Sequence, residues 1–120
     1  MRMGAFLFAA VFALGAAVQW NDPDPAIWIL GYTVGAGLSL AFALGRRLFA
    51  AHAIAAAVFG LWFASIASSL IGAPEEAFTS FRMQAESHEE PREAAGLALL
   101  GLWNAALAVS ARSAQPARKD

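Results

Sequence analysis

Four long apolar blocks separated by polar turns dominate the pattern of hydrophobic and polar positions. They cover about 4–20, 26–45, 48–72 and 91–110. Each approaches the ~20 residues that a helix needs to cross a ~30 Å hydrocarbon core. The blocks are continuously apolar and too long for barrel strands, and only helices or closed barrels satisfy their backbone polar groups in lipid. The pattern predicts an all-α integral membrane four-helix bundle, whose first block is retained rather than cleaved as a signal peptide.

Composition supports a membrane protein, and basic residues predict its orientation. The 120 residues are 59% hydrophobic and only 14% charged, against about 25% charged in a soluble domain. Six of the eight Lys and Arg residues fall on one predicted side. The positive-inside rule makes that side cytoplasmic. We therefore expect a multi-pass protein of the bacterial inner membrane with both termini cytoplasmic, comprising one domain, 1–111, and a basic tail, 112–120. The six residues are Arg2, Arg46, Arg47, Arg112, Arg118 and Lys119.

The opposite, outer face is acidic. Eight acidic residues and only two basic ones, Arg82 and Arg92, fall on this side, which gives it a net charge of −6. Such a face argues against nucleic acid and favours cations, basic partner surfaces or internal pairing. The loop 73–91 on this face is predicted to contain a short interfacial helix or to remain a loop. The chain has no cysteine, so no disulfide can constrain that loop.

Small residues predict close helix packing. Gly31, Gly35 and Ser39 recur every four positions in the second block, and Ala56, Gly60 and Ala64 form a similar row in the third. Such rows let helix backbones approach closely in membranes. These rows predict a tight bundle with little interior space for a substrate pathway. They are equally compatible with a dimer face.

Two polar residues lie inside the predicted spans. Asn104 is expected to bond to Ser65, Ser68 or a backbone carbonyl, because an unpaired amide is costly in lipid. His52, near the cytoplasmic end of the third span, is expected to be a buried, hydrogen-bonded or interfacial side chain rather than a haem or chlorophyll ligand.

The first turn, Gln19–Pro25, carries more polar chemistry than a turn requires. Asp24 followed by Pro25 predicts a helix start in which the Asp24 carboxylate caps the second helix. Asp22 follows the first helix, where the negative end of the helix dipole disfavours a carboxylate, so it needs a partner. Trp20 and Trp28 flank the turn as expected interface anchors.

The start of the fourth helix offers that partner. Ser87 and Glu90 have the spacing of a capping box. Glu89, Arg92 and Glu93 then share one helix face. If that face points inward, a salt bridge between Asp22 and Arg92 fixes the first helix to the fourth. The alternative is a divalent metal site for Zn, Mn, Fe or Ca. Its predicted ligands are His88, Glu89, Glu93 and Asp22.

Two motifs resemble the transmembrane protein 220 family. One is Gln19–Asp24 followed by Trp28 and Tyr32, and the other is His88–Glu93 followed by Gly96. The resemblance covers nearly the whole chain and implies four spans, but the family has no assigned activity, so it implies no reaction. We call the residues expected to carry function the polar cap. They are Gln19, Asn21, Asp22, Asp24, Tyr32, Arg92 and Glu93.

Three functions remain open at this point. The first is a scaffold or accessory subunit whose salt-bridged polar cap binds a partner or cation, in a larger membrane complex or a homo-oligomer within the bilayer. The second is a metal-dependent membrane enzyme with its site at the polar cap. The third is a small transporter element. The predicted spans have no carboxylate or Lys near the middle of the membrane, and this counts against a transporter.

Overall fold

The computed structural model of the chain describes residues 1–22, 24–79 and 88–114. These residues are almost entirely helical, and four of their helices are long and apolar enough to cross a membrane. The predicted all-α four-span architecture is confirmed. Short 3₁₀ turns at Gln19–Asn21 and Ala67–Leu70 follow the first and third helices. The α-helices are α1 Arg2–Val18, α2 Pro25–Ala43, α3 Phe49–Ile66, α4 Glu76–Thr79 and α5 Glu89–Ser113.

The segment between the third and fourth spans contains one short helix in its described part. This is α4, whose Ala77 is buried while Phe78 is 51% exposed. The predicted interfacial element therefore begins as a helix, and the rest of it, 80–87, lies outside the described residues.

The bundle consists of two closely packed pairs, α1 with α2 and α3 with α5. Aromatic side chains join the pairs. Phe8 stacks on Trp103 with ring centroids 4.1 Å apart, and Trp28 stacks on Trp62 at 4.6 Å. Each such aromatic pair contributes about 0.5–1.5 kcal/mol beyond its buried area. These stacks hold α1 against α5 and α2 against α3.

Small residues on α2 allow the close approach predicted for them. A methyl group in place of the Gly35 hydrogen would collide with Leu100 on α5 and lie 3.2 Å from the Phe12 ring on α1. One turn later, the Ser39 hydroxyl donates to the Gly35 carbonyl at 2.8 Å and accepts from Trp103 Nε1 at 3.0 Å. By contrast, a methyl group at Gly60 of α3 would meet nothing within 4 Å. The α3 row therefore faces outward at this position.

The α2–α3 turn places basic residues at one end of the bundle. Gly45 has φ of 94°, and the bonds Gly45 N–H to Phe42 O and Arg46 N–H to Ala41 O, both 2.9 Å, form a Schellman motif. At the same end, Arg2 Nε donates to Ala43 O at 3.0 Å. Since the four long helices alternate in direction, this basic end lies opposite the turn that follows α1.

A buried polar pair links α3 to α5. His52 and Asn104 are both fully buried, with His52 Nδ1 and Asn104 Oδ1 3.2 Å apart. Asn104 Nδ2 also donates to Leu100 O at 2.9 Å. The predicted bond of Asn104 across the bundle is made to His52 rather than to Ser65 or Ser68, and the backbone carbonyl that accepts from Asn104 belongs to its own helix. Ser65, for example, donates to the Trp62 carbonyl of its own helix at 2.6 Å.

Candidate functional site

The chain leaves the membrane-spanning part of α1 through a short 3₁₀ turn. After Gln19–Asn21, Asp22 adopts an extended conformation with φ −80° and ψ 157°. This is the geometry predicted for a residue before proline, whose ring disfavours the helical region. The Asp22 N–H donates to Gln19 O at 3.0 Å, so the turn is closed by the backbone and the Asp22 side chain remains available for other contacts.

Asp24 occupies the N-cap position of α2, and Pro25 is the first residue of the helix, as predicted. The predicted capping interaction is wrong, however. Within the described residues, the Asp24 carboxylate accepts no hydrogen bond from the first turn of α2. Its backbone ψ of 63° departs from the extended conformation usual for a capping residue. The carboxylate is therefore not used in starting the helix.

Helix α5 begins at Glu89, with His88 in the N-cap position. The predicted cap, Ser87, lies outside the described residues. Glu89 and Glu90 occupy the first turn, where the positive end of the helix dipole favours carboxylates. Pro91 is accommodated in this first turn, where a missing N–H costs no intrahelical bond. Glu89, Arg92 and Glu93 then follow on one face, as predicted.

An open cavity of about 560 Å³ lies between the ends of α1, α2 and α5. It contains most of the polar cap, together with Glu89. Only Asp24 of the polar cap is not part of its wall. The interior space at this end is thus larger than the small-residue rows predicted. The cavity is lined by Gly15, Val18, Gln19, Asn21, Asp22, Trp28, Tyr32, Glu89, Arg92 and Glu93.

Two glycines position Tyr32 in the cavity wall. A methyl group at Gly15 of α1 would lie 2.8 Å from the Tyr32 ring, and one at Gly96 of α5 would collide with the Tyr32 hydroxyl. Because both glycines lack a side chain, the phenol fits between α1 and α5. Gly96 was part of the second motif in the sequence, whereas nothing in the α1 pattern singled out Gly15.

Three carboxylates approach one another beside the cavity, and two of them belong to its wall. Asp24 of the α2 N-cap and Glu89 and Glu93 of α5 place one oxygen each within 4.8 Å of the others. Asp24 is exposed, and the two glutamates are half-buried. Oxygen ligands from carboxylates suit hard divalent cations such as Ca²⁺ and Mn²⁺. We call Asp24, Glu89 and Glu93 the carboxylate triad.

The carboxylate triad differs from the predicted metal ligands. Asp24, whose side chain does not cap α2, takes the place expected for Asp22. His88 is also absent from the group. Its imidazole is 7% exposed, and Nδ1 has no hydrogen-bond partner in the described part of the chain. The predicted set of four ligands is therefore not assembled as one cluster.

Asp22 and Arg92 line the same cavity wall, but their predicted salt bridge stays a prediction. Partial burial raises the pKa of Asp22, while the positive charge of Arg92 opposes that rise and the negative charge of Asp24 adds to it. The two side chains therefore interact electrostatically on one side of the bundle.

Trp28 is more deeply buried in the cavity wall than the sequence indicated. It was expected at the membrane interface, as is Trp20, which is 77% exposed. Instead Trp28 is 4% exposed, because its ring stacks on Trp62. Its indole Nε1 has no hydrogen-bond partner among the described residues. Trp28 thus contributes its ring to the cavity wall, while its Nε1 atom is buried.

Comparison with known proteins is consistent with this architecture. The family model described as "Transmembrane family 220, helix" matches residues 11–109, which include both sequence motifs and the whole cavity wall. No solved structure matches the chain. Together with the four membrane-spanning helices, the match shows that this multi-pass membrane protein belongs to transmembrane family 220.

Proposed function

We propose that this protein is a small accessory or scaffold protein of the membrane that binds a cation at the carboxylate triad. The observation that carries this proposal is the convergence of three carboxylate oxygens, from two different helices, within 4.8 Å. Like charges this close repel one another, so a cation between them would relieve the repulsion and gain favourable Coulomb energy. Because Asp24 begins α2 and the glutamates belong to α5, the bound cation would also join these helices.

The surrounding charge supports a cation rather than an anion. Asp22 lies in the cavity wall beside Glu89 and Glu93, and Arg92 is the one cationic side chain among the residues that line the cavity. With Asp24 close to Glu89 and Glu93, four carboxylates outnumber one guanidinium. A site with this balance attracts cations by its local potential.

The proposal is tested by titrating purified protein in nanodiscs with Mn²⁺ and following free Mn²⁺ by electron paramagnetic resonance. A divalent ion about 4 Å from one carboxylate gains about 2 kcal/mol even at the dielectric constant of water, or about thirtyfold in affinity. We therefore expect Glu93→Gln to weaken Mn²⁺ binding about thirtyfold at low ionic strength. Glu76→Gln is the matched control, since Glu76 is exposed on α4 and outside the triad.

Two results would count against cation binding. One is wild-type protein that binds no Mn²⁺ at millimolar concentration. The other is equal affinity of the Glu93→Gln and Glu76→Gln variants, which would mean that Mn²⁺ responds only to general surface charge.

A metal-dependent enzyme is the second candidate, favoured by one specific observation. Glu89 and Glu93 belong to both the carboxylate triad and the cavity wall, so a bound metal would face a space large enough for a small substrate. Turnover that requires the metal, and that Glu93→Gln abolishes, would support this candidate. The transporter alternative is less well supported, because Phe12, Leu97 and Leu100 form a buried apolar core in the bundle.

The proposed orientation places the carboxylate triad outside the cytoplasm. It rests on the basic end formed by Arg2, Arg46 and Arg47, which the positive-inside rule assigns to the cytoplasm of a bacterial inner membrane. A larger complex or a homo-oligomer is compatible with the outward-facing row on α3, where a methyl group at Gly60 would meet nothing. Labelling of single cysteines introduced at Glu75 and at Arg46 would test the orientation.

A further inference from the structure

We propose that a groove between α2 and α3 holds one acyl chain of an anionic phospholipid, whose phosphate lies at the basic end of the bundle beside Arg46. The groove shares no residue with the polar cap, the cavity wall or the carboxylate triad. This inference therefore goes beyond the proposed function and does not depend on cation binding.

The groove follows from the pairing of the helices. Because α2 packs closely on α1 and α3 on α5, α2 and α3 approach each other only loosely. They come near each other at Gly31, where a methyl group would lie 3.6 Å from the Phe59 ring. Ala55 and Phe59 are the buried members of the groove wall, whereas Leu30 of α2 and Ile54 of α3 are 63% and 64% exposed. The groove therefore has an apolar floor between two exposed apolar sides.

The length of the groove matches one leaflet of a bilayer. Its wall spans eleven positions on each helix, from Ile27 to Leu38 on α2 and from Ala51 to Trp62 on α3. At 1.5 Å per residue this is about 16 Å, or roughly half of a ~30 Å hydrocarbon core. A transmembrane helix of a partner would follow the whole thickness of the core, whereas one acyl chain follows half of it.

The width of the groove also favours an acyl chain. Its volume of about 450 Å³ over a length of about 16 Å gives a mean cross-section of about 28 Å². A hydrocarbon chain, whose carbon atoms pack against neighbours at about 4 Å, needs a cross-section of about 20 Å². A helix about 10 Å wide needs about 80 Å². The groove therefore admits one chain and is too narrow for a helix of a second copy.

The two ends of the groove differ in charge. At one end Trp62 stacks on Trp28, and the carboxylate triad lies beyond, where Asp24 precedes α2. At the other end Ala51 is the third residue of α3, so the groove begins next to the basic α2–α3 turn. An anionic headgroup is attracted to the basic end and repelled by the acidic one. The charges therefore place the phosphate at the α2–α3 turn.

Arg46 is the residue of this turn that can bind the phosphate. Arg47 is already engaged, because its Nη1 donates to Phe42 O at 3.2 Å and its guanidinium carbon lies 4.1 Å from the centroid of the Phe42 ring. The Arg46 side chain is exposed and has no hydrogen-bond or ion-pair partner within the described residues. The turn joins the two helices that form the groove, so the long Arg46 side chain can reach a phosphate at this level. Guanidinium donors match phosphate oxygens in geometry and charge.

The experiment is native mass spectrometry of the purified protein, titrated with palmitoyl-oleoyl phosphatidylglycerol or with phosphatidylcholine that carries the same chains. Both lipids have a phosphate, but only phosphatidylglycerol has a net negative charge. We expect one retained lipid molecule on the protein. One arginine near the headgroup predicts about fivefold tighter binding of phosphatidylglycerol than of phosphatidylcholine.

Two pairs of variants locate the bound lipid. Ala51→Phe places a ring in the groove and should remove the retained lipid. Ala57→Phe is the matched control and should keep it, since Ala57 is exposed on the same helix but outside the groove wall. Arg46→Gln should make the two lipids bind equally, whereas Arg46→Lys keeps the charge and should keep the preference. If Ala51→Phe does not fold, Arg46→Gln in the exposed turn still decides the inference.

Several outcomes would overturn the inference. Wild-type protein that retains no lipid, or that binds both lipids equally, would do so, as would a preference that survives Arg46→Gln. Retention of lipid by Ala51→Phe as strong as by Ala57→Phe would mean that the lipid lies elsewhere. A dimer that Ala51→Phe dissociates would identify a second copy as the occupant of the groove. Mn²⁺ binding is measured separately, so the proposed function stands or fails independently of these results.

Discussion

Replacement of Gly96 by alanine should destabilise the protein through Tyr32. The added methyl group would collide with the Tyr32 hydroxyl and lie 3.1 Å from the ring carbon that bears it. Tyr32 cannot retreat towards α1, since the backbone at Gly15 already lies against its ring. The phenol must therefore leave its position in the cavity wall, or α5 must shift.

The expected magnitude follows from two opposing effects. Overpacking a well-packed site costs about 1–3 kcal/mol. Replacing glycine by alanine inside a helix returns up to about 1 kcal/mol. We therefore expect Gly96→Ala to lower the free energy of unfolding by about 1–2 kcal/mol. Gly37→Ala is the matched control on α2, because a methyl group there would meet nothing within 4 Å, and it should be neutral or slightly stabilising.

The assay is steric-trapping unfolding in bicelles, applied as a double-mutant cycle. Tyr32→Phe removes the oxygen that the new methyl group would strike, so Gly96→Ala should cost about 1 kcal/mol less in the Tyr32→Phe background. Equal effects of Gly96→Ala and Gly37→Ala, or additive effects of Gly96→Ala and Tyr32→Phe, would refute the proposed packing of Tyr32.

Three further predictions can be measured by steric-trapping unfolding or by the Mn²⁺ titration. Asp24→Ala should change the unfolding free energy by less than about 0.5 kcal/mol, because no capping bond is lost, yet weaken Mn²⁺ binding about tenfold; a cost near 1 kcal/mol would indicate a working N-cap. Asn104→Leu should destabilise by about 0.6–1.7 kcal/mol, since it removes the partner of buried His52; no loss would mean that the pair is dispensable. Mn²⁺ affinity should fall as pH is lowered from 7.5 to 5, because protons compete for the ligand carboxylates. Asp22 is not a ligand but adds negative charge to the adjoining cavity wall, and because partial burial raises its pKa it loses that charge at a higher pH than an ordinary aspartate; a flat profile would contradict carboxylate ligation.

The architecture could be predicted from two general rules, backbone hydrogen bonding in lipid and the spacing of residues along a helix. Each apolar block had to form a helix, because lipid leaves the backbone no other partner. An even number of spans then placed the turn after α1 and the start of α5 at one end of the bundle. Helical spacing further put Arg92 and Glu93 on one face of α5. These local rules are sufficient to explain why most of the polar cap lines one cavity.

The composition of the carboxylate triad could not be predicted in the same way. Whether Asp24 or Asp22 joins the glutamates depends on side-chain orientations that local helix rules do not determine: Asp24 has the N-cap position of α2, yet its carboxylate lies near Glu89 and Glu93 instead of capping the helix. The burial of Trp28 depends on the rotation of α2 relative to Trp62 on α3. Helix rotation is determined by contacts between helices, which a single sequence does not specify.

The position of a bound cation tests the central claim most directly. We would soak Mn²⁺ into crystals of the protein grown in a lipidic phase and record anomalous diffraction near the manganese edge. The account predicts one strong peak between Asp24, Glu89 and Glu93, bridging the start of α2 and the first turn of α5. A peak elsewhere on the protein, or no peak at Mn²⁺ concentrations that saturate binding in solution, would contradict it.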